Sequence, residues 1–182
     1  MSAQLSSFLR GTIPLDVLLL VALYLTLSRA SGSSVRSRTP AGEPATAQLR
    51  RRLIAVSAIA LATQGVHFAE EWATGFHLRF PALLGLAPWS IGLWAGFNLT
   101  WIAIWCLALV GLRLRWHSAL FPIWFLGLGC AVNGVAHPLL ALAAGGYFPG
   151  LWTSPLSGVV ALFLLPSLAR FTGPRATRRA AA

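Results

Sequence analysis

One imidazole and two carboxylates fall close together in the run Gln64-Gly65-Val66-His67-Phe68-Ala69-Glu70-Glu71. Positions three and four apart share a helical face, so on a helix His67, Glu70 and Glu71 project together, with Gln64 a turn before them. Farther along, Asn133 and His137 are four apart and stack in the same way. Imidazole and carboxylate are ligands for zinc or iron, and a helix-borne His with Glu at three-residue spacing recurs in carboxylate-bridged metal sites of helical bundles. A divalent metal held by His67, Glu70, Glu71 and His137 would activate a water for hydrolysis. Without a metal, the same groups offer a general acid and a general base, as an isomerisation needs.

These groups sit in an unusual setting. The 182 residues are 57% hydrophobic and only 10% charged, whereas a soluble domain carries about a quarter charged residues. Five apolar segments, Ile13 to Ser28, Leu53 to Gly75, Ile91 to Leu112, Ala119 to Ala144 and Leu151 to Phe171, approach or exceed the roughly 20 residues of a membrane span. Lipid cannot satisfy free backbone groups, so such runs must be helices, and they are too long and continuous for barrel strands. The expected architecture is an all-α polytopic membrane bundle of five transmembrane helices. A retained first helix is preferred over a cleaved signal peptide, because cleavage would leave a basic loop outside the membrane.

The formal charge of +10 comes from arginine alone, since the chain contains no lysine. The arginines lie in the short segments between apolar runs, which is a topology signal rather than the clustered footprint of nucleic-acid binding. With the loop bearing Arg36, Arg38, Arg50, Arg51 and Arg52 placed inside, only Arg10 and Arg79 fall outside, and the topology is N-out/C-in. The chain divides into a first helix (1–30), a basic cytoplasmic linker (31–52), a four-helix domain (53–171) and a basic tail (172–182). Cys106 and Cys130 both lie within apolar runs and suggest no disulfide framework.

Depth ties the polar residues together. At 1.5 Å per residue, His67 and Glu71 lie roughly 22 and 28 Å above Arg52, and Asn133 and His137 roughly 25 and 31 Å above Trp116. Asn98 lies roughly 22 Å above Arg113 on a descending span. All fall in the outer half of the bilayer, where intramembrane ionisable residues face the bundle interior and mark function. Asn133 is read with the catalytic group. Asn98, Gln64, Trp94, Trp101 and Tyr147 are read as contacts to a small apolar or lipid-like substrate drawn from the membrane. Asp16, near the outer end of the first segment, is a weaker candidate.

The elements His67-Phe68-Ala69-Glu70-Glu71, Asn133-Gly134-Val135-Ala136-His137 and Tyr147-Phe148-Pro149-Gly150-Leu151-Trp152-Thr153 resemble, in order and spacing, the HXXEE family of small bacterial membrane proteins. The resemblance covers roughly residues 55–165. It implies a membrane fold in the bacterial inner membrane and a set of key residues, but no reaction. The function expected is therefore an intramembrane enzyme acting on a lipid-like substrate by metal-dependent hydrolysis or acid/base isomerisation. The alternatives are a small proton-coupled transporter, which needs a polar path to the cytoplasmic face, and a scaffold in which buried polar groups merely join helices.

Overall fold

Each apolar run becomes a helix in the computed structural model, which describes residues 3–30 and 43–173. The helices are α1 (Ala3–Ala30), α2 (Glu43–Thr74), α3 (Phe76–Leu83), α4 (Ile91–Arg113), α5 (Leu120–Ala143) and α6 (Ser154–Thr172), with a single 3₁₀ turn at His117–Ala119 before α5. Five of them are long and apolar enough to cross a membrane, and the chain is an all-helical integral membrane bundle. Among the described residues there is no strand. Two boundaries differ from the sequence reading. The second long helix begins at Glu43, so residues 43–52 are helical rather than linker. The first begins at Ala3 rather than near Ile13. Arg36, Arg38, Arg175, Arg178 and Arg179 lie outside the described residues.

Helix ends are set by local chemistry. The Ser90 side chain accepts from the Leu93 amide at 3.2 Å and starts α4. Arg29, Arg113 and Arg170 occupy the last turns of α1, α4 and α6, where a cation complements the helix dipole. Gly75, at φ 76°, breaks α2 from the short α3, and residues 84–90 continue without helix to the start of α4.

Helix α5 is the hub, packing against α6, α1, α4 and α2. Near the arginine-bearing ends, Ile123, Trp124, Phe125, Leu126 and Leu164 form the main core. At the other end Phe8, Trp89, Trp94 and Ala95 make a second cluster. The first helix belongs to the bundle at both ends. Ser7 donates to the Ala87 carbonyl at 2.6 Å, while Arg29 reaches the Ala169 carbonyl and the Thr172 hydroxyl and lies over the Trp124 ring.

The α5–α6 seam depends on two facing glycines. A Cβ on Gly134 would lie 2.5 Å from the Gly158 Cα and 2.9 Å from its nitrogen, both backbone atoms that have no rotamer to escape into. A Cβ on Gly158 meets only the Gly134 Cα, at 3.2 Å. Close small-residue packing of this kind holds membrane helices together. Gly134→Ala is therefore expected to destabilise the bundle by about 1–3 kcal/mol, and Gly158→Ala by clearly less. Thermal unfolding of both variants in detergent checks the order.

Candidate metal centre

The two helix-borne motifs meet. His67 and Glu71 project from one face of α2, and His137 projects from α5 to join them. The His67 and His137 Nε2 atoms are 3.2 Å apart, and the Glu71 Oε1 lies 3.6 Å from the first and 3.4 Å from the second. All three side chains are buried, and among the described residues they form the one group of three or more His, Cys, Asp or Glu side chains spaced to hold a metal ion.

The outer faces of both rings are tied to one loop. The His137 Nδ1 lies 2.6 Å from the Pro149 carbonyl, which can only accept, so this nitrogen carries the proton. The His67 Nδ1 lies 2.8 Å from the Thr153 Oγ1, whose own hydrogen is given to the Glu70 Oε2 at 2.6 Å. The threonine oxygen therefore accepts, and the His67 Nδ1 donates. Both Nε2 atoms are left as lone pairs, pointing at one another beside a carboxylate oxygen. Three acceptors converge with no donor among them, an arrangement that needs a shared proton or a cation.

The 3.2 Å between the two Nε2 atoms would suit either, and the separations to the carboxylate favour the cation. Hydrogen bonds from charged nitrogen to carboxylate run about 2.7–2.9 Å, so 3.4 and 3.6 Å are too open. Ligands held about 2.0–2.1 Å from a tetrahedral ion stand roughly 3.3–3.4 Å apart, which matches the triangle seen here. The donor set fits zinc, and two His with one carboxylate is also the set of non-haem iron sites.

Glu70 has a different task, which corrects its reading as a ligand. Its carboxylate accepts from the Tyr147 hydroxyl at 2.7 Å, the Trp152 amide at 3.1 Å, and the Thr153 amide and hydroxyl at 2.9 and 2.6 Å. It is thus the anchor of the 147–153 turn and, through Thr153, of the His67 ring. Carboxylate-oriented histidines of this type fix tautomer and ring direction at metal sites. Tyr147 accordingly contacts Glu70 rather than the cavity. Burial, and next its bond to the Glu70 carboxylate, raise its phenol above the ordinary value, so it remains a donor at neutral pH.

Beside the His67–Glu71–His137 triangle lies a cavity of about 530 Å³ between α1, α2, α3, α4 and α5. Of the remaining residues singled out by sequence, Gln64, Asn133, Asn98, Trp94 and Trp101 all line it, as does Glu71. The Gln64 Oε1 accepts from the Asn133 Nδ2 at 3.4 Å and the Cys130 thiol at 3.7 Å, and Asn98 donates to its own helix at the Trp94 carbonyl. Asp16 is exposed and is not among the lining residues; His77 and His117 stand outside the ligand group. Sequence reasoning missed Thr153, the Pro149 carbonyl and Gly150. The signal that points to them is general: a ligating histidine needs an acceptor for its second nitrogen.

No protein-family profile, no curated protein and no solved structure matches this chain.

Gly150 sits against both rings. At φ 86°, its added Cβ would lie 2.5 Å from the His137 Cε1 and Nδ1 and 2.7 Å from the His67 Cε1. Gly150→Ala is thus expected to spread the two imidazoles, and Glu70→Gln to loosen them. Removing such a supporting partner lowers metal affinity about 10–100-fold. Competition with a zinc chelator measures this loss, and Leu142→Ala, on the exposed side of α5, should show none.

Proposed function

We propose that this chain is a membrane-embedded, metal-dependent hydrolase of a lipid-like or other apolar substrate. His67, His137 and Glu71 hold a divalent ion, zinc before iron. The observation that carries the reading is the convergence of two locked Nε2 lone pairs and one carboxylate oxygen at 3.2–3.6 Å beside an apolar cavity. A zinc site with three protein ligands keeps a coordination position for water and lowers its pKa to about 7. The chain's own part is to hold that position toward the cavity and to keep bulk water out. Gln64, Asn98 and Asn133 supply hydrogen-bonding groups for the polar part of a substrate.

The arginine distribution supports a site in the outer half of an N-out/C-in protein, and the HXXEE resemblance supports a bacterial inner membrane. The three elements behind that resemblance are the ones that furnish the proposed ligands and their supporting loop. Acid/base isomerisation would have Glu71 share a proton with the imidazoles, and the open 3.4 and 3.6 Å separations speak against it. Proton transport needs a polar route toward the arginine-bearing ends. There the lining is Phe68, Trp101, Trp105, Phe125 and Leu126. A scaffold role leaves the pair of unsatisfied lone pairs without a purpose.

Elemental analysis of the purified full chain tests the proposal. About one metal ion per chain is expected in the native protein. At least a tenfold lower content is expected in Glu71→Gln and His137→Ala, with unchanged helical circular dichroism. Hydrolysis of a monoacylglycerol in nanodiscs should be lost in the same variants. A metal-free native protein, or variants that retain full metal content, would overturn the reading.

A further inference from the structure

The walls of the cavity are unequal, and the inequality says where it opens. Its back wall is buried: Trp94 is 3% exposed, Trp105 5% and Asn98 8%. Four residues line the cavity and yet are exposed on the outside of the bundle: Pro14 on α1 and Val132, Leu139 and Ala143 on α5. Residues that do both mark a mouth, and this mouth lies between α1 and α5.

The packing of α1 explains the opening. Ala22, Leu18, Leu19 and Leu25 hold its second half in the main core, and Phe8 holds its start in the aromatic cluster. Between these anchors, Gly11, Thr12 and Leu15 face the cavity instead of a helix. On α5, positions 132, 136, 139, 140 and 143 recur at three- and four-residue spacing along one face, and all of them line the same space.

The four rim residues are apolar, and so are their exposed neighbours Ile13, Val17, Val135 and Leu142, with Asp16 the one exposed carboxylate near them on α1. A mouth with such a rim, running along α5 from its middle at Val132 to its last residue Ala143 and beside Pro14 of α1, opens chiefly to hydrocarbon. Whatever reaches Glu71 by this route must already be dissolved in the bilayer.

The lining narrows the ligand further. Glu71 is its one ionisable residue, and it contains no Arg, Lys or His to pair with a phosphate. Apart from the proposed ion the lining offers a phosphate no cation to pair with, which disfavours a charged headgroup. About 530 Å³ falls within the range of roughly 300–1,000 Å³ that takes one drug-sized body, and is small for a whole two-chain lipid. Aromatic walls from Trp89, Trp94, Trp101 and Trp105 suit a single apolar body.

Building on the hydrolase reading, we infer that the substrate is an uncharged single-bodied amphiphile, entering sideways from the bilayer between α1 and α5. Its hydrolysable group comes to rest at Glu71 among Gln64 and Asn133. For an ester, water adds across the acyl C–O bond. The hydroxyl goes to the acyl carbon and the proton to the released alcohol.

The test uses the full chain in nanodiscs with a photoreactive diazirine monoacylglycerol and, separately, a diazirine phosphatidylcholine. The monoacyl probe should label residues of the α1–α5 mouth and be competed by unlabelled monoacylglycerol. Bulk at the mouth (Leu139→Trp) or inside (Ala136→Trp) should cut labelling about tenfold or more, as loss of a filled pocket does. Leu142→Trp, which is 78% exposed and outside the lining, should label like the native chain. Zinc content reports that each variant keeps its site. Labelling that survives both blocking substitutions, or equal mouth labelling by phosphatidylcholine, overturns the inference. His137→Ala, at a proposed ligand outside the lining, separates the two proposals: it should empty the metal site and leave labelling intact. A native chain that binds no metal but passes the labelling test refutes the hydrolase alone, and one that binds metal but fails it refutes the route alone.

Discussion

Two imidazoles are held nitrogen to nitrogen inside a membrane protein, and most of the structure can be understood as the means of holding them there. A neutral imidazole has one donor and one acceptor nitrogen, and which is which follows from the partners it is given. Here the carbonyl of Pro149 and the hydroxyl of Thr153 take the Nδ1 protons, so both acceptor nitrogens turn inward to Glu71. Left alone, converging lone pairs and a carboxylate repel one another in a low-dielectric interior. The arrangement persists because a single short turn grips both rings, and that turn is itself fastened by four hydrogen bonds to Glu70.

The helices serve this geometry at a distance. Gly134 lets α5 approach α6 closely, and the same helix carries His137 less than one turn farther on. Gly150 lets the turn pass close against both rings. On the opposite side, α1 is pinned near both ends but stands away in the middle, and the space it leaves is the cavity. One end of the bundle is thus closely packed and the other is hollow, an asymmetry a merely structural polar cluster would not require.

Much of the fold was legible because lipid is a strict solvent: long apolar runs must be helices, and arginine marks their ends. The convergence of α2 and α5 was legible for a related reason, since rise per residue places His67, Glu71, Asn133 and His137 at one depth. The division of labour between Glu70 and Glu71 was not. Three- and four-residue spacings count as the same face in a helical projection, yet their side chains diverge enough for one to meet His137 and the other the turn. The start of α2 at Glu43 was hidden by a polar composition that a helix end projecting beyond lipid tolerates. The grip of Pro149, Gly150 and Thr153 on the rings was also hidden, because it arises from contacts across more than eighty positions in the case of His67 and Thr153.

Nitrogen-15 NMR of histidine-labelled protein, titrated with zinc, examines the central claim at its source. The account predicts that His67 and His137 are both Nδ1–H tautomers without metal, and that both Nε2 resonances move together and saturate at about one equivalent of zinc. A ring protonated at Nε2, or two Nε2 signals indifferent to zinc, would contradict it.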